Sequence, residues 1–175
     1  MGRIMPFAPR VLHGYPGTVE ALDPAETLLL HGLRGWLADL RQSRDPLPRL
    51  GGSMAAAGIP PAAASLDMLM RVLARTARRP VQIGCPQCPR LTADEQRLLH
   101  AARLAQGGET GLAAEVLQDG FLSGIGAGFA LGPLQGLGAL FLAAGLALRP
   151  RLLAGLAGPD PAGAAPWPLS LSTRH

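Results

Sequence analysis

Lysine is missing from this chain: all 16 basic residues are arginine, against 12 acidic ones, for a formal net charge of +4. The bias reads first as a coding preference, because the arginines are spread along the sequence. A nucleic-acid binder gathers its cations on one face and often interleaves aromatics. Aromatics are scarce too, at 4% of residues. Val, Ile, Tyr and Phe, the residues that build sheets, are all thinly represented, which argues against a large sheet. Cysteine occurs only twice. Residues 1–17, MGRIMPFAPRVLHGYPG, contain no apolar run of the length a secretory signal needs. Pro6 stands where a myristoylation motif opened by Met1-Gly2 would need Ser or Thr. With no export signal visible, the expectation is a reducing cytoplasm. There the two cysteines serve as thiols or ligands rather than as a structural disulfide.

What is abundant is Leu and Ala, good helix formers, in a chain of 175 residues that is 48% hydrophobic. That length suits one domain with a sizeable core. Asp23-Pro24-Ala25-Glu26 has the cap, first-turn proline and third-position glutamate that open a helix. The spacing of Leu29, Leu30, Leu33, Leu37 and Leu40 continues it to Arg41, with Trp36 on the edge of the apolar face and Arg34, Asp39 and Arg41 largely off it. Residues 49–58 suggest a short Ala-rich helix. Residues 62–79 suggest a longer one with Leu66, Leu69, Met70 and Leu73 inward, stopped by Pro80. Val81-Gln82-Ile83 is strand-like but too short to found a sheet. A second capping box, Thr92 with Glu95, opens a helix to Gln106, and another runs from Glu109 to Gln118.

Residues 121–148 carry no charge. Their length would span a bilayer, which takes about 20 apolar residues. Gly124, Gly128, Gly132 and Gly136 repeat at the spacing that lets helices approach closely, and Arg149 and Arg151 would mark the cytoplasmic end. Pro133 favours the other reading: it splits the stretch into two buried helices, a soluble hairpin with the proline in the first turn of the second. The expected fold is therefore all-α, a compact bundle of about five to seven helices with short loops and flexible termini. The division is a flexible arm over 1–19, one helical domain over 20–149, and a flexible tail rich in Pro, Ala and Gly over 150–175.

The chemistry-bearing motif is Gly84-Cys85-Pro86-Gln87-Cys88-Pro89. A C-x-x-C pair can turn both sulfurs to one point, which suits a metal or a reversible disulfide. A zinc site wants four ligands, and no second pair is present. His100 is the one candidate third ligand, so Cys85, Cys88 and His100 form an incomplete set for zinc or another transition metal unless a second chain completes it. Redox exchange wants a cysteine at a helix N-terminus, and Cys88 lies four residues before the Thr92 cap. On this reading the cysteines chiefly turn the chain.

Catalytic groupings are weak. Asp94 and Glu95 suit the positive end of their own helix, Ser123 lacks the context of a nucleophile elbow, and His31 sits on an amphipathic helix. Arg71, Arg75, Arg78 and Arg79 would form a basic stripe for phosphates, but base-reading side chains are missing, and a solvated face with helix capping accounts for them. The sequence thus points to a cytoplasmic protein without catalysis or cofactor of its own, an adaptor or regulator working through a protein partner or its own copies. The rivals are a metal-binding or thiol-redox sensor centred on the CPQC pair, and an inner-membrane-associated protein anchored by residues 121–148.

Overall fold

In the computed structural model, residues 13–153 and the pair Trp167–Pro168 are described. The first helix, α1 (Pro24–Arg41), opens with the expected box: Glu26 accepts the Asp23 amide at 3.0 Å. Leu29, Leu30, Leu33 and Leu37 are buried as the spacing requires, whereas Leu40 is only partly buried. Three of its other side chains depart from the expectation, the first being Asp39, buried at 2%. Trp36 is inside the core at 2% exposure, its indole N–H bonded to Asp67 at 2.7 Å, and Arg34 is buried at 1% rather than facing out. The helix is wrapped on nearly every side, so amphipathic spacing alone misplaces its polar residues.

A turn capped by Asp45, which accepts the Leu47 amide, leads into α2 (Leu47–Ala56). The next helix, α3 (Ala62–Thr76), buries Leu66, Leu69, Met70 and Leu73 and ends three residues short of the expected Arg79. The strand-like triplet supplies β1 (Gln82–Ile83), and α4 (Ala93–Gln106) follows with the Thr92 and Glu95 box formed. Then come α5 (Thr110–Gly120) and α6 (Gly124–Ala143). The described chain is thus an all-α bundle of six helices, with one two-residue antiparallel pairing between β1 and β2 (Trp167–Pro168).

The expected hairpin over 121–148 is not formed. Its residues Gly124–Ala143 form one continuous helix with Pro133 inside it. Proline in a helix interior costs about 3 kcal/mol, through a lost hydrogen bond and a clash with the preceding turn. That cost is outweighed by packing: α6 lies against α3, α4 and α5 and buries Ala127, Ala130, Leu134, Leu137 and Phe141. At about 1.5 to 3 kcal/mol for each large buried apolar side chain, the gain exceeds the penalty. The four-residue glycine repeat also plays a different part. Gly124, Gly128 and Gly132 face outward, and the glycines that permit close helix contact are Gly126, where a Cβ would stand 2.6 Å from the Thr76 side chain, and Gly138, where it would stand 2.9 Å from the Gln106 backbone.

The described stretches flanking the bundle, 13–19 and 150–153, bond to each other and to the bundle. Residues 1–12 of the arm and most of the tail lie outside the described residues. The Leu152 amide bonds the His13 carbonyl at 3.0 Å, and Arg151 makes a two-pronged pair with buried Glu26 at 2.6 and 2.7 Å. The arm continues past the C-x-x-C loop, with the Val19 amide on the Pro89 carbonyl and the Leu91 amide on the Gly17 carbonyl.

A candidate thiol site held by a buried arginine

The loop between β1 and α4 is fixed from beneath by one ion pair. Arg34 rises from α1 and Glu95 stands in the first turn of α4, 1% and 0% exposed respectively. The guanidinium donates Nε to Glu95 Oε1 at 2.7 Å and Nη2 to Oε2 at 2.9 Å, a bidentate pairing. Its remaining hydrogens reach the loop backbone: Nη1 bonds the Cys88 carbonyl at 2.6 Å, and Nη2 the Arg90 carbonyl at 2.7 Å. From the other side Glu95 accepts the Gly84 amide at 2.9 Å and the Thr92 amide at 2.8 Å. Arginine's rigid fork suits this task, since one planar group spans several fixed acceptors. Gly84 leaves room for the same contact, because a Cβ there would meet the guanidinium at 3.0 Å.

On this base sits the cysteine pair. Cys85 and Cys88 form a disulfide, which overturns the expectation of unpaired thiols. Both residues are half-buried, with Pro86 and Gln87 exposed between them. The Cys88 amide donates to the Cys85 carbonyl at 3.1 Å, closing a turn, and the Cys85 amide points back to Cys88 Sγ at 3.2 Å.

The proposed third metal ligand is elsewhere. His100 lies on α4, its ring edge-on to Tyr15 with centroids 6.2 Å apart and its Nδ1 buried without a hydrogen-bond partner. Burial, reinforced by the charge of Arg103 and opposed by Glu109, holds its pKa below the usual histidine value, while burial pushes the Tyr15 phenol up. Among the described residues no three or more His, Cys, Asp or Glu side chains gather to hold a metal ion. His31 and His13 are exposed on the surface, and His175 lies outside the described residues.

Of the arginines of the basic stripe, Arg71 and Arg75 lie on α3 and Arg78 and Arg79 just past its end, all four exposed. Arg71 pairs with Asp67 at 2.7 Å and, with Arg75, borders a shallow hollow at Trp36. Past the end of α3, Arg78 bonds the Gln118 carbonyl, and Arg79 makes a two-pronged pair with buried Asp94 at 2.7 and 2.6 Å. Asp94 also takes Arg97, at 3.0 Å. Asp94 and Glu95 therefore anchor arginines besides favouring their helix terminus. Ser123 caps α6, accepting the Gly126 amide at 3.1 Å.

The functional residues that sequence reasoning missed are Arg34 and Glu95 as a pair. Glu95 was visible as a cap, but its partner lies 61 residues away. Compared with known proteins, the chain matches no family model, no curated protein and no solved structure.

Proposed function

We propose that this protein is a redox-responsive helical regulator whose Cys85–Cys88 disulfide is reversibly opened by thiol–disulfide exchange. The observation that carries the reading is how the loop is held. A cross-link spanning so few residues restrains the unfolded chain by only about 2 kcal/mol, and it joins no two elements of the fold. The Arg34–Glu95 pair and its backbone bonds fix the loop instead. The disulfide is half-exposed and dispensable as a staple, so it can open without unfolding the bundle. Titration with dithiothreitol under native conditions tests this. Two thiols are expected to become accessible to a maleimide while the helical circular-dichroism signal is retained, and to disappear on reoxidation. A disulfide that resists reduction until the protein unfolds, or whose reduction melts the helices, would remove the reading.

A second reading is association of two copies through the outward side of α6. That side exposes Ile125 at 76%, Phe129 at 64% and Leu142 at 55%. It carries no charge, so two copies meet without like-charge repulsion, and Gly128 and Gly132 allow a close backbone approach. Light scattering with rising concentration checks it, with Phe129→Asp as the variant expected to stay monomeric. Wild-type protein that remains monomeric throughout ends this reading, and if that monomer pelleted with lipid vesicles the face would belong to a membrane surface. Among the described residues α6 is the one helix long and apolar enough to cross a membrane, but one flank of it is core.

A further inference from the structure

The two sulfurs of the pair are not equivalent. Resting on the redox reading above, we infer that Cys85 is the interchange cysteine, the sulfur that carries the mixed disulfide, and that Cys88 is the one that leaves and later resolves it.

The Cys85 amide is aimed at Cys88 Sγ at 3.2 Å, whereas among the described residues no donor reaches Cys85 Sγ. A donor on sulfur favours its charged form, and in thiol–disulfide exchange the thiol of lower pKa leaves faster. The backbone that holds this donor in place is itself fixed. Glu95 binds the Gly84 amide immediately before Cys85, and Arg34 binds the carbonyl of Cys88. These two backbone bonds do not depend on the S–S bond, so the reduced turn can re-form the hydrogen bond to Cys88 Sγ whenever it closes.

The steps balance as follows in the reducing direction. An external thiolate, from a small-molecule or protein thiol, attacks Cys85 Sγ in line with the S–S bond. A new disulfide forms between the incoming sulfur and Cys85. The Cys85–Cys88 bond breaks, and its electron pair stays on Cys88 Sγ as a thiolate that accepts the Cys85 amide. A second external thiolate then attacks the incoming sulfur and expels Cys85 as a thiolate, which takes a proton from water. The external pair is oxidised to a disulfide by two electrons, and the protein is left with a Cys85 thiol and a Cys88 thiolate, which becomes a dithiol on taking a second proton from water. In reverse, Cys85 attacks a partner disulfide and Cys88 resolves the adduct.

The test uses the full chain. Oxidised protein is treated with reduced glutathione, or with thioredoxin lacking its resolving cysteine, then quenched in acid and mapped by peptide mass spectrometry. Adduct is expected on Cys85 in either arm, and the faster arm distinguishes a small-molecule reductant from a protein one. In parallel, the pH dependence of iodoacetamide alkylation is measured for Cys85→Ser and Cys88→Ser, both of which retain the backbone amide. The Cys88 thiol of the first is expected to titrate about one pH unit lower than the Cys85 thiol of the second. Adduct on Cys88, or equal or reversed titrations, overturns the assignment while leaving the redox reading intact. No adduct and no reduction in either arm sinks the redox reading itself.

Discussion

Replacing Arg34 by methionine would leave Glu95 buried without a counter-charge and would free the carbonyls of Cys88 and Arg90 from their donor. Breaking a buried pair from one side costs about 3 to 5 kcal/mol, so urea denaturation of Arg34→Met should show a loss of that order. Arg34→Lys should recover only part of it, because an ammonium cannot span both carboxylate oxygens and two carbonyls at once. His100 gives a second prediction at this scale. Its pKa in the folded protein lies below 6.5, through burial first and the charge of Arg103 second. The unfolded chain then binds the proton more readily. His100's part of the stability is full above pH 6.5 and is lost as pH falls through 6.5 toward the lower folded-state value. Melting temperatures at about pH 7 and about pH 5.5 should differ more for wild type than for His100→Gln; an equal difference would show that His100 is not the group responsible. These single residues were the least legible in the sequence. The leucine spacing of α1 placed its core face, but no local pattern says that Arg34 turns inward to meet a carboxylate far along the chain.

Capping and breaking signals read off the sequence fared better for whole elements, because those interactions close within one helical turn. Asp23 with Glu26 and Thr92 with Glu95 start their helices where expected. The failure at Pro133 has the opposite origin: a strong local breaker was overridden by contacts with three other helices, which no window along the chain contains. The same contrast separates two glycines of α6. Gly128 has nothing within 4 Å of where a Cβ would stand. Gly128→Ala should therefore gain helix propensity, about 0.5 to 1 kcal/mol in chemical denaturation. Gly138→Ala offers the same propensity, but its Cβ would press on the Gln106 backbone at 2.9 Å. It would also disturb the Gln106 side chain, which bonds the Gly138 and Leu146 carbonyls and the Leu148 amide. A net loss of about 1 to 3 kcal/mol is expected from the overpacking. Equal gains at both positions would mean that α6 can shift away from α4 without penalty.

Across the whole molecule, the C-x-x-C loop is where distant parts of the chain meet. The incoming segment bonds Gly17 to Leu91 and Val19 to Pro89, β2 pairs with β1 just before Cys85, and Arg34 reaches up from α1. The sequence showed a loop between two helices, but the chain ends that dock on it belong to regions whose composition suggested only flexibility. This arrangement gives opening of the disulfide a route to the rest of the protein without a change in the core. Reduction releases the restraint between Cys85 and Cys88, so the turn closed by the Cys88 amide and the strands of chain bonded beside it should open more often. The core helices rest on buried leucines and alanines that the disulfide does not touch. Hydrogen exchange followed by mass spectrometry should therefore find amides in 17–19 and 82–91 exchanging about tenfold or more faster after reduction, in proportion to a cross-link worth about 2 kcal/mol. Peptides from α3, α4 and α6 should keep their protection. If protection instead fell evenly through those helices, the disulfide would be holding the fold together, and its role would be that of a staple rather than a switch.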